Sequence, residues 1–92
     1  MENFKTYKVM ILYDKDFKDF FSKFKNIVEE VSKGKIIENK FYGLKNLPEK
    51  INNHDTGLYM IVKFKCSPKA FKDINKYLMT EKIVLRYFVI LT

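Results

Sequence analysis

From Leu58 to Phe64 every second residue is apolar, inside the stretch Gly57–Cys66 that reads Gly-Leu-Tyr-Met-Ile-Val-Lys-Phe-Lys-Cys. Period two places Leu58, Met60, Val62 and Phe64 on one buried sheet face. The alternate set, Tyr59, Ile61, Lys63 and Lys65, is apolar at one end and basic at the other. A strand with one buried face and a second that is half apolar belongs inside a sheet, so this stretch is expected to be its central strand. Tyr7–Tyr13 alternates in the same way, Val9, Ile11 and Tyr13 against Lys8, Met10 and Leu12, and predicts a first strand. Between the two the period changes. Phe17, Phe20, Phe21, Phe24, Ile27, Val28 and Val31 recur at three- and four-residue spacing. That spacing predicts an amphipathic helix of about four turns. Asp14-Lys15-Asp16 is its expected start and Lys33-Gly34 its expected stop.

Lys35–Leu47 mixes polar and apolar residues and reads as a second strand, with Pro48 suited to an edge strand or its exit. Asn52-Asn53-His54-Asp55-Thr56-Gly57 is a run of turn formers that joins it to the central strand as a hairpin. Ser67-Pro68 supplies an N-cap followed by a proline at the first helical position. Phe71, Ile74, Tyr77 and Leu78 then outline a second helix, and Ile83–Leu91 a last, almost wholly apolar strand. The order strand-helix-strand-strand-helix-strand predicts an α+β, ferredoxin-like βαββαβ domain over residues 1–92. Right-handed crossovers place strand three between strands one and two, and strand four beyond strand one. Both helices of this four-stranded antiparallel sheet then lie on one face. Val9, Ile11, Leu58, Met60, Val62 and Phe64 are expected beneath them, and Met10, Leu12, Tyr59 and Ile61 on the bare face. Both parities of the last strand are apolar, and Arg86 decides between them. A charge does not belong under two Phe-rich helices, so Arg86, Phe88 and Ile90 face outward. The resulting apolar patch of Met10, Leu12, Tyr59, Ile61, Phe88 and Ile90, rimmed by Lys8, Lys63, Lys65 and Arg86, has the character of a partner interface.

Charge sharpens this. The net charge of +7 favours an anionic partner, and all but one of the basic residues are lysines, Arg86 being the exception. The excess lies in the central and C-terminal thirds. One cysteine, Cys66, excludes an internal disulfide and a Cys-rich zinc site, and one histidine, His54, leaves no metal cluster. No cofactor is implied. No apolar run approaches the ~18 residues of a membrane span, and the first residues resemble neither a signal nor a transit peptide.

Catalytic chemistry finds no footing. Asp14, Asp16 and Asp19 suit helix capping, and Glu29-Glu30 suits solvation. His54 sits among turn formers and is expected to point to solvent; Cys66 reads as a small buried apolar residue. The three glycines are isolated, so no phosphate loop exists. The aromatic slots of an RNA-recognition motif, counted from Gly57, hold Leu58, Met60 and Lys63, which excludes that stacking platform. Acylphosphatase-like chemistry needs an arginine in a glycine-rich loop after strand one, where this chain has Asp14-Lys15-Asp16.

Tyr42-Gly43-x-Lys45-x-Leu47-Pro48-x-x-Ile51 followed by Gly57-x-Tyr59 resembles the bacterial-type small-subunit ribosomal protein S-six family. Tyr7–Leu12 resembles the family's opening strand, Phe64 its aromatic at the end of strand three, and Val84-Leu85-Arg86-Tyr87 its Val-x-Arg segment. The likeness runs in register through nearly the whole chain. It implies a non-enzymatic ribosome component that binds the central domain of small-subunit ribosomal RNA together with ribosomal protein S-eighteen. By position, Lys5, Tyr7, Lys8, Lys45, Lys50 and Arg86 are its expected RNA contacts. Leu47-Pro48 and the Lys-, Asn-, Ile- and Phe-rich composition tilt the expected compartment to the mitochondrion, with bacterial cytoplasm and plastid left open. The alternative is a small ferredoxin-like enzyme or ligand-sensing domain outside the ribosome.

Overall fold

The computed structural model describes residues 3–51 and 53–91, with the backbone alone for Leu91. The elements follow in the expected order: β1 (Lys5–Tyr13), α1 (Phe20–Asn26), β2 (Lys35–Ile51), β3 (His54–Cys66), α2 (Pro68–Thr80) and β4 (Val84–Leu91). The sheet runs β2-β3-β1-β4, with every pairing antiparallel. This is the expected ferredoxin-like arrangement, with β3 inside the sheet.

The first helix begins later than its apolar spacing suggests. Asp14 does not cap it. Its Oδ1 accepts from the Asp16 N–H at 2.9 Å, and its own N–H donates to the Ile83 carbonyl at 2.9 Å. A short carboxylate that bonds its own backbone two residues on makes a turn instead. Phe17 therefore stays outside the helix and half exposed, while Phe20, Phe24 and Val28 are buried. The helix continues into one wide turn over Ile27–Val31, in which the Ser32 N–H donates to the Ile27 carbonyl at 3.0 Å. At its end Lys33, not Gly34, takes the left-handed conformation, with φ 56°. Gly34 serves another purpose. A Cβ there would lie 2.5 Å from the Lys65 carbonyl oxygen, so only glycine lets the chain pass from α1 to β2 so close to β3.

The second helix starts where predicted: the Ser67 hydroxyl accepts from the Ala70 N–H at 3.1 Å, and Pro68 occupies the first helical position. The core lies between the helices and one sheet face. Val9, Ile11, Met60, Val62 and Phe64 from the sheet are fully buried, as are Phe24, Val28 and Ile74 from the helices. Phe24 meets Phe64 edge to face, with centroids 5.8 Å apart.

The second strand runs past its predicted end to Ile51. Pro48 is accommodated because β2 is an edge strand and its register with β3 is broken between Asn46 and Ile51. Gly57 lies within β3, opposite Lys45, so the turn is tighter than the run of turn formers suggests. Asn53 takes the left-handed conformation there, with φ 68°, and Asn52 falls outside the described residues.

Candidate RNA and protein interface

Side chains opposite one another in a sheet project to the same face, so the register fixes what the uncovered face displays. Four rows cross it. The first carries Lys35, Lys65 and Thr6, and the second Glu38, Lys63, Lys8 and Ile90. The third carries Lys40, Ile61, Met10 and Phe88, and the fourth Gly43, Tyr59, Leu12 and Arg86. The face is therefore basic at one end and apolar in its middle. Lys8, Lys35, Lys63 and Lys65 have no ion-pair partner among the described residues; Lys40 approaches Glu38 at 3.7 Å.

All six residues of the expected apolar patch lie on this face, but the face is not bare throughout. Leu12 is buried, although no helix covers it. Leu47, Pro48 and Ile51, from the far part of the β2–β3 hairpin, line one cleft with Met10, Ile61 and Phe88, so the hairpin leans over the sheet. Register breaks at Phe41/Gly43 and Asn46/Ile51 supply the bend, and Gly43 takes φ 78° at the first of them.

The expected RNA contacts do not converge. Tyr7 lies in the core, stacked on Phe71 with ring centroids 4.0 Å apart and 5° between planes. Its odd position in β1 puts it under α2, and burial pushes its hydroxyl pKa up. A ring held there cannot meet RNA, which removes Tyr7 from the set. Lys5 is exposed at the start of β1, opposite buried Cys66, and Lys8 stands on the open face. Lys45 and Lys50 are exposed on the hairpin. Nine residues of β3 separate the Lys63 row from His54, the partner of Ile51, or about 30 Å of strand. Arg86 is exposed beside Leu12 and has no ion-pair partner among the described residues. Lys35 joins the basic end unpredicted, and Lys40 stands at the edge of the apolar row. Only pairing in register with β3 reveals their face, and the bulges of β2 hide it from period-two counting.

The residues weighed for catalysis are occupied structurally. His54 does not point freely to solvent: it is half buried, with Nε2 3.6 Å from Asp14 Oδ2. Cys66 is buried, and desolvation pushes its thiol up to about 11, far from a reactive thiolate. No group of three metal-ligating side chains occurs among the described residues.

A basic, partly apolar open face on this fold suits a ribonucleoprotein component, and a sequence model described as ribosomal protein S6 matches residues 6–91. The chain belongs to the ribosomal protein S6 family. It is 26% identical over 89 residues to the small ribosomal subunit protein bS6 of Parabacteroides distasonis, covering 95% of this chain and 75% of that one. Its fold is similar to the crystal structure of 30S ribosomal protein S6 from Thermotoga maritima. The TM-score is 0.84 at 18% identity, over 98% of this chain and 89% of the other. Members of the ribosomal protein S6 family are structural, not enzymatic, components of the small subunit, so the reading as an enzyme or ligand sensor falls away. Both relatives are bacterial, which lends the mitochondrial expectation no support.

Proposed function

We propose that this protein holds small-subunit ribosomal RNA with the basic end of its open face and a neighbouring ribosomal protein, S-eighteen, with the apolar middle, in a bacterial-type ribosome. The division of that face carries the reading: Lys8, Lys63 and Lys65, without an ion-pair partner among the described residues, at one end, then Met10, Ile61 and Phe88. Lysine is a point charge, so its contacts are to phosphate, and the RNA served is the central domain. Lys5 lies at the same end of the sheet but on the helix-side parity, opposite Cys66, and contacts RNA around that end; Lys50, on the hairpin, contacts it at a separate point. Replacing Lys8, Lys63 and Lys65 together by alanine should leave the fold intact and weaken binding to the RNA. The slope of log affinity against log salt should become shallower by about 0.7–0.9 for each phosphate that is no longer neutralised. An unchanged slope refutes the assignment.

A further inference from the structure

Tyr42 owes its place on the open face to an irregularity. Phe41 pairs with Met60 and Gly43 with Tyr59, which leaves Tyr42 between them as an extra residue with no partner in β3. Phe41 turns to the helices and meets Phe21 edge to face, with centroids 5.6 Å apart. Tyr42 turns the other way and borders a notch with Lys8, Glu38, Lys40, Ile61 and Lys63. Its ring is half exposed and meets no other aromatic ring among the described residues. An uncovered aromatic ring therefore stands beside three lysines.

The notch has a volume of about 90 Å³, small beside the ~300–1,000 Å³ of sites that bury a whole ligand. It admits a phosphate group but not a base as well. Three cations line it against one carboxylate. Lys40 approaches that carboxylate, Glu38, at 3.7 Å, while Lys8 and Lys63 have no ion-pair partner among the described residues. The charge asks for an anion at Lys8 and Lys63, and the base of the same nucleotide has to lie outside, where the Tyr42 ring is. We infer that this corner of the face binds an unpaired nucleotide, its phosphate in the notch against Lys8 and Lys63 and its base stacked on Tyr42. A base inside a duplex is covered by its neighbours on both sides, so the ring serves only a base in a loop, a bulge or a single strand. Lys45 follows on the same strand and face, opposite Gly57 and about 10 Å beyond Tyr42. It is exposed, and Tyr59 borders the adjoining cleft with it. RNA that leaves Tyr42 toward the hairpin thus meets a further cation. This track follows β2 along the edge of the sheet and leaves Met10 and Phe88 to the neighbouring protein. The inference rests on the RNA reading above and deepens it: it states which kind of RNA the basic end serves, and it makes Tyr42 the aromatic contact in place of buried Tyr7.

The test measures binding of the purified chain, with the neighbouring ribosomal protein present, to a central-domain fragment of small-subunit ribosomal RNA. Tyr42→Ala should weaken RNA binding about 5- to 150-fold, the range for taking an aromatic ring away from a stacked base. Tyr42→Phe should keep the parent's affinity, since the ring makes the contact. For both variants the slope of log affinity against log salt should stay as in the parent, because no phosphate contact is lost. Ultraviolet cross-linking of the parent complex should join Tyr42 to an unpaired nucleotide, identified by mass spectrometry of the linked peptide. Full RNA affinity in Tyr42→Ala overturns the inference, as does an equal loss in Tyr42→Phe. A cross-link from Tyr42 to protein or to a base-paired nucleotide overturns it too, and so does a Tyr42→Ala loss that comes with weaker binding of the neighbouring protein. None of these results touches the wider reading while the Lys8, Lys63 and Lys65 variant shows its shallower slope; an unaltered slope there removes both.

Discussion

Gly34 and Tyr7 show how the surroundings of one residue decide its role. A methyl group at position 34 meets the Lys65 carbonyl, which belongs to a paired strand and cannot move aside. Gly34→Ala should therefore cost about 1–3 kcal/mol, as overpacking does, in urea-induced unfolding. A cost near zero would mean that the α1–β2 passage is looser than it stands. The sequence marks Gly34 as a helix stop, which is right about place and wrong about cause: Lys33 takes the left-handed turn. Tyr7 misleads in a similar way. Beside Lys5 and Lys8 it resembles a nucleic-acid contact, but strand parity aims it at Phe71. Parity is legible for Val9, Ile11, Met60 and Val62, where polar and apolar sides are distinct. It is least legible at strand ends, where an aromatic ring can serve either side.

At the scale of elements, short-range chemistry marks starts better than stops. Ser67 caps α2 as its sequence announces, so Ser67→Ala should lower stability by about 0.5–2 kcal/mol, read from thermal or denaturant unfolding; Ser67→Gly should cost less. Asp14 carries the same kind of signal before α1 but spends it on a turn, because the Ile83 carbonyl fixes its backbone. That bond to a residue far along the chain could not be read locally. The end of α2 is tied to α1 by another such contact, Lys23 Nζ to Glu81 Oε2 at 2.9 Å. The hydrogen bond from Lys23, with help from the Ile83 N–H, holds the Glu81 carboxyl below its ordinary value. A depressed carboxylate pKa stabilises the fold above the unfolded value, near 4.5, and that contribution disappears as pH falls through the folded one. Glu81→Gln should therefore flatten the loss of stability on acidification below about pH 4.5, most clearly at low salt. Lys23 is half exposed, so the difference at neutral pH should stay under about 1 kcal/mol. Identical acid limbs for parent and variant would refute the linkage.

For the whole molecule, the open face is where sequence and structure agree on residues and differ on shape. The patch from Met10 to Phe88 follows from alternation and one arginine. The lean of the hairpin follows from register breaks in β2, and an edge strand of mixed polarity gives no period to reveal them. Ile61→Lys combined with Phe88→Lys should leave the helix-side core untouched, since neither residue is fully buried. Circular dichroism and unfolding should be near those of the parent, while incorporation into small subunits fails. Normal incorporation of the folded double variant would show that the patch is not an interface.

The register of β1 with β4 bears on how the chain is made. Tyr7 pairs with Leu91 and Tyr13 with Val84, so β1, made before β4, waits for it to complete this ladder. β3 can claim one edge of β1 once Cys66 has emerged, and the other edge then stays unpaired while α2 and β4 are synthesised. At ~5–20 residues per second that interval is on the order of one to five seconds. Throughout it, an apolar strand with free backbone groups is open to any neighbouring nascent chain. Binding energy gained from the remote ends of the chain is available only after synthesis has passed them, so closure of the sheet is a late event by connectivity alone.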